Sequence, residues 1–140
     1  MIDRDIGAYI KVVKGINPAN AAAGTINGAA IDRAGIGGKN QFMSCVLKIS
    51  CGAASGGPSA QTVNAKLQDS SDGSSGWADI SGAAVTQLTA DNGESQVNVD
   101  LSAAKRHIRA VVTVGFTGGT SPAIPVAAEL ILGGAQTLPV

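Results

Sequence analysis

At 140 residues and 13.8 kDa the chain has the length of one domain, enough to bury about two thirds of the surface its unfolded form exposes. Nineteen glycines and five prolines sit in a sequence that is 44% hydrophobic, which excludes both collagen and a disordered polar tail; with one Trp, one Tyr and two Phe, the core falls to Val, Ile, Leu and Ala. Ten basic residues balance ten acidic ones, so no bulk field gathers nucleic acid or a charged membrane surface.

The first five residues, with Asp3, Arg4 and Asp5 ahead of a short apolar stretch over 6–13, lack the charge pattern and apolar length of a secretory signal. The expectation is a chain that stays where it is made. No run approaches the ~20 apolar residues that cross a bilayer, so no membrane role is expected. Residues 8–13 and 25–31 read as strands, with 17–24 a loop of small residues between them. Gly35, Ile36, Gly37, Gly38 and Lys39 lack the spacing of a phosphate cradle, and no helical pattern follows them; they read as a turn.

From Gln41 onward the chain alternates with a period of two. Met43, Cys45, Leu47, Ile49 and Cys51 share one face against Ser44, Lys48 and Ser50, with Phe42 and Val46 interrupting the polar side. Residues 52–58 end that strand. The next, 62–68, turns Val63, Ala65 and Leu67 inward and closes in the Ser, Asp and Gly turn over 69–76. Residues 77–80 and 85–88 read as short strands, and Asp91, Asn92 and Gly93 form the following turn. Val97, Val99 and Leu101 alternate over 96–101. After a tight connection at 102–105, the longest strand, 106–116, points Ile108, Ala110, Val112, Val114 and Phe116 inward and His107, Arg109 and Val111 outward. Gly118, Gly119 and Pro122 break the chain before a last strand at 126–132.

About eight short strands with turn chemistry between them, and no helical stripe, predict an all-β, single-domain antiparallel sandwich, eight strands suggesting a jelly roll. The domain spans 1–140, with a short N-terminal arm over 1–5 and a C-terminal tail over 136–140.

Chemistry is sparse. His107 is the single histidine and stands in mid-strand among cations, a poor start for a general base. Asp69 to Gly73 lacks the alternating oxygen ligands and closing Glu of a calcium loop, and reads as a solvated hairpin. Cys45 and Cys51, six apart on one strand, lie roughly 20 Å apart at ~3.3 Å per residue and cannot bridge each other; without clustered His they read as reduced core thiols rather than a zinc site. No catalytic residue, cofactor or metal is expected. Trp77, the largest ring, reads as a cap on the core rather than a ligand platform.

Two features suggest partners. Lys105, Arg106, His107 and Arg109 form the one basic cluster, either a gatekeeping strand face or a docking patch for an acidic surface. The tail ends in Thr137, Leu138, Pro139 and Val140, apolar and without an evident folding role, suited to pairing with a neighbour's sheet edge. Arg4, Tyr9, Lys105, Arg106, Arg109, Leu138 and Val140 are therefore the candidate partner contacts.

Residues 66–73 (KLQDSSDG), 77–80 (WADI), 106–112 (RHIRAVV) and 118–123 (GGTSPA) resemble those of tailed-bacteriophage head cement, or decoration, proteins of the short-tailed type, over 61–134. The resemblance implies a jelly roll on the capsid exterior that clamps neighbouring major capsid subunits and stabilises the DNA-filled head. It implies a virion protein assembled in the host bacterial cytoplasm, a homo-oligomer with a dimer favoured, and no direct contact with nucleic acid. The alternative is another virion sandwich, tail- or fibre-associated, or a carbohydrate-binding surface module, for which four aromatic residues are poor equipment.

Overall fold

A computed structural model describes residues 4–34 and 41–140; the turn predicted at 35–39 lies outside the described residues. After a single 3-10 turn, Ile6–Ala8, nine strands follow among the described residues: β1 (Lys11–Ala21), β2 (Gly24–Asn27), β3 (Ile31–Asp32), β4 (Phe42–Cys51), β5 (Ala60–Ser70), β6 (Ala78–Ala84), β7 (Glu94–Asp100), β8 (His107–Thr117) and β9 (Ile124–Ala135). They form two antiparallel sheets. Sheet I has the order β1-β9-β4-β7, and sheet II the order β2-β8-β5-β6, with β3 also paired to β8. This is the strand order of a jelly roll, and the expected sandwich is the fold. The strand count exceeds eight because β2 and β3 occupy one place beside β8, parted at Gly28. A Cβ at Gly28 would fall on the backbone carbonyl of Gly15, so only glycine lets the two segments pass so closely.

The period-two pattern explains the core. Cys45, Leu47, Ile49 and Cys51 of β4, Val63, Ala65 and Leu67 of β5, Ile108, Ala110, Val112 and Val114 of β8, and Ile124, Val126, Ala128, Leu130 and Leu132 of β9 are all buried between the sheets. These aliphatic side chains sandwich into one layer, as the shortage of aromatics requires.

Four local expectations are corrected. Residues 17–21 are not loop but the second half of β1, pairing Ala19 with Val126, Asn20 with Pro125 and Ala21 with Ile124. Pro18 is admissible there because β1 is an edge strand, and two register shifts accommodate it. Phe42 does not interrupt a polar face; it is fully buried in the core cluster. Between the pairs Phe42↔Ala135 and Ser44↔Gly133 stands Gly134 at φ +65°, off strand geometry, and there the alternation slips. Residues 85–88 are not a strand: β6 bends at Gly82, φ +74°, across a register shift, resumes pairing only at Ala84 with Lys66 and ends there, and Leu88 makes an isolated bridge with Val63. The C-terminal tail has a folding role. Val140 packs against the core and its N–H donates to the Ala8 carbonyl at 3.1 Å.

Candidate interaction surfaces

The strand order brings the starts of β1, β4 and β8 and the ends of β5, β7 and β9 to one end of the sandwich, and the seven residues expected to contact partners flank that end in two groups. At its centre is a residue that sequence reasoning missed. Arg33 is completely buried, and its guanidinium donates to four backbone carbonyls: Phe42 at 2.6 Å and Leu101 at 3.0 Å from Nη1, Ala104 at 2.6 Å from Nη2, and Lys105 from Nε at 3.1 Å and Nη2 at 3.0 Å. A planar fork of donors is suited to tying several loops at once. Nothing in the Asp32-Arg33 dipeptide distinguishes it from a surface pair.

The basic group is engaged in place, Lys105 and Arg106 by carboxylates and Arg109 by neutral partners. Arg106 grips Asp32 with two bonds, Nε to Oδ1 at 2.9 Å and Nη2 to Oδ2 at 2.8 Å, and these bonds hold the Asp32 carboxyl at about 2. Lys105 lies 3.8 Å from Asp69, which also accepts the Lys105 backbone N–H at 3.0 Å. Arg109 donates twice to the Gln68 side-chain oxygen, at 3.0 and 2.8 Å, and stacks 4.4 Å above the Trp77 ring. Trp77 is therefore half-buried on the outer face of sheet II, and is not the core cap the sequence suggested; the burial of the core is completed by aliphatic side chains. Gln68 also donates to Asp79, which accepts Lys66 at 2.8 Å, so one row of side chains runs from Trp77 to Lys66 with its polar groups mutually engaged.

The second group gathers where the termini meet. Arg4 is exposed, Tyr9 is 41% exposed and Leu138 46% exposed, while the Val140 N–H bond to Ala8 fastens the tail beside the 3-10 turn. The large exposed hydrophobic residues among those described are Ile6, Tyr9, Val12 and Leu138, and all four belong to these two terminal segments. Sequence reasoning singled out Tyr9 and Leu138 but not Ile6 or Val12. Next to them, on the outer face of sheet I, lies a cleft of about 550 Å³ lined by Ile10, Ser44, Val46, Asn98, Asp100 and Ile131.

Both cysteines, Asp72 and His107 serve the fold. Both cysteines are free and buried, and burial pushes the Cys45 thiol up to about 12 against the opposing pull of Arg33, which leaves it protonated and unreactive at neutral pH. Asp72 spends both carboxylate oxygens on its own loop, accepting the N–H groups of Ser74 and Ser75 and the hydroxyls of Ser70 and Ser75; the Ser75 bonds are the main reason its carboxyl titrates below the usual range. His107 is half-buried against Gly73, with its Nδ1 buried and unpartnered. Among the described residues no group of three or more His, Cys, Asp or Glu is placed to hold a metal ion, and no helix is long and apolar enough to cross a membrane.

No protein-family model and no curated protein matches the chain. Among solved structures, similarity is found to the Clostridium thermocellum endo-1,4-beta-D-xylanase 10B, CBM22-1 and GH10 modules complexed with xylohexaose, at 10% identity and a TM-score of 0.42. That match covers 89% of this chain and 27% of the xylanase chain.

Proposed function

We propose that the protein is a non-enzymatic surface module of a virion, which binds the outside of a phage capsid and cements neighbouring major capsid subunits. The observation that carries this reading is the gathering of Ile6, Tyr9 and Leu138 at one corner, where the Val140 to Ala8 bond presents both termini together. Large apolar side chains left in water mark a contact surface when they are contiguous. The contact is apolar rather than basic. Lys105 and Arg106 already face Asp69 and Asp32, so they add little net field for steering toward an acidic shell.

A second reading, a glycan-binding module, is favoured by the half-buried Trp77 beside the polar row of Arg109, Gln68, Asp79 and Lys66. Arg109 covers one face of that ring, so a sugar would have to stack on the other. One experiment separates the two. The cement reading expects the protein on purified particles in near-stoichiometric ratio to the shell subunit, with Ile6→Ser/Leu138→Ser weakening attachment by about tenfold or more at an unchanged melting temperature. Absence from mature particles sinks it, and micromolar glycan-array binding abolished by Trp77→Ala moves the function to the second reading.

A further inference from the structure

We infer that the outer face of sheet I is a self-complementary interface on which two copies of this chain pack, related by a two-fold axis parallel to the strands and running between β9 and β4. The inference concerns a different surface from the terminal corner and does not rest on the capsid reading.

The strand register places two rows side by side on this face. One is apolar: Val12 pairs with Ile131, Ile131 with Val46, and Val46 with Asn98. Val12 is 55% exposed, and Ile131 and Val46 are half-buried walls of the cleft. The adjoining row is charged, running Lys14, Glu129, Lys48 and Gln96 across the same four strands. Beyond the apolar row, on its other side, Gly133 and Ser44 keep the surface low over β9 and β4, and Asp100 stands beside Ser44 on β7. Three apolar side chains from three distant segments thus line up between the charged row and the row of Gly133, Ser44 and Asp100.

The second copy supplies that order. A two-fold axis along the strands exchanges β9 with β4 and β1 with β7 while keeping each row level with itself. Ile131 then meets Val46 of the partner subunit, Glu129 meets Lys48 of the partner subunit, Lys14 meets Gln96 of the partner subunit, Val12 meets Asn98 of the partner subunit at the margin, and every contact occurs twice. An axis across the strands fails on the same residues. Laid through the charged row, it sets Glu129 on its own copy and Lys48 on its own copy. Laid through the apolar row, it sets both charges against Ser44 and Gly133. Charge complementarity therefore selects both the occupant and the symmetry. Lys48 is also paired with Glu94 at 3.2 Å, but both side chains are well exposed, so that ion pair does not hold Lys48 away from a partner.

The test is sedimentation of the full chain with three variants and one mixture. The wild type is expected to be a dimer at micromolar concentration, and Val46→Glu to weaken association by about tenfold or more. Lys48→Glu and Glu129→Lys should each weaken it likewise, since each homodimer sets two like pairs together. Mixed in equal amounts they should associate at close to wild-type strength, because the heterodimer restores opposite charges at both contacts. Circular dichroism melts identify any variant that fails to fold; should Val46→Glu fail, the charge variants and their mixture carry the test. The inference is overturned by a wild type that stays monomeric to about 100 μM, by charge variants that associate unchanged, or by a mixture no stronger than its components. A monomeric wild type whose attachment to shells is abolished by Val46→Glu would give this face to another partner and would equally overturn it.

Discussion

The two ends of the sandwich are held by different means. At the Arg33 end, loops are tied by charged side chains: Arg33 on four carbonyls, Arg106 on Asp32, Lys105 on Asp69. At the opposite end the ties are mostly backbone to backbone. Gly52 donates to Pro125 at 2.8 Å, Ser55 to Ala123 at 2.8 Å and Thr120 to Gly56 at 2.8 Å, with Gly56, Gly57, Gly118 and Gly119 all at positive φ. A knot of side chains fails when one side chain is removed, whereas glycine turns fail when a side chain is added. The termini and their exposed apolar residues gather at the first end, where the knot fixes the frame beneath them.

The largest expected effect comes from cutting the knot. Arg33→Met keeps bulk and removes the charge, but it leaves the carbonyls of Phe42, Ala104 and Lys105 buried or partly buried without the guanidinium donor, while the Leu101 carbonyl keeps the Ala104 N–H at 3.0 Å. Unsatisfied buried acceptors cost about 1–3 kcal/mol each when fully desolvated, so a loss of at least about 3 kcal/mol is expected, read as a fall in melting temperature of roughly 10 °C. A urea-denaturation change below about 1 kcal/mol would show that water replaces the guanidinium and that the two ends are less different than they look.

At the glycine end the converse substitution is the probe. A Cβ on Gly56, at φ +79°, would stand 2.5 Å from the Thr120 carbonyl oxygen and 2.8 Å from Pro122 Cα, both backbone atoms that cannot swing aside. Gly57, at φ +65°, has nothing within 4 Å of its Cβ position. Gly56→Ala should therefore cost about 2–3 kcal/mol and Gly57→Ala about 1 kcal/mol, the difference being the clash and the remainder the left-handed backbone. Equal losses in thermal melts would mean that the Gly56 turn relaxes and that backbone ties are looser than those at Arg33.

Much of this architecture is legible in the order of residues alone, and for a physical reason. The inner residues of β4, β5, β8 and β9 alternate because each strand has one buried face, and their β-branched and aliphatic side chains announce it. The second half of β1 carries Asn17, Pro18, Ala19 and Asn20, which have no strand preference of their own and are extended only because β9 pairs with them. The basic cluster is visible in the sequence, but its neutralisation is not: Asp32 and Asp69 lie 74 and 36 residues away in sequence from the groups they hold. The same limit hides the apolar row, since Val12, Val46 and Ile131 become neighbours only through the register of three strands. Arg33 gives no signal at all, for a charged residue after a short strand looks identical whether it faces water or four carbonyls.

Acid titration should separate the ends more gently. Asp32 is held at about 2 by the Arg106 side chain, against the usual 3.8, and Asp91 at the glycine end is lowered by the Ala54 N–H and then by the Gln61 amide. Both carboxyls bind a proton more readily in the unfolded chain than in the fold, so each contributes stability that is present above about pH 4 and is lost as pH falls, for Asp32 toward about 2. The melting temperature should therefore hold steady from pH 6 to about 4 and then decline. Asp32→Asn should lie below the wild type at pH 6 and converge on it near pH 2, because the variant has no carboxylate there to lose. Added salt weakens the exposed Asp32 to Arg106 pair but acts less on Asp91, whose partners are neutral donors. At high salt the Asp32→Asn curve should then approach the wild type throughout, while Asp91→Asn keeps its separation. Melting curves for the two variants that respond alike to salt would mean that the same kind of contact holds both ends.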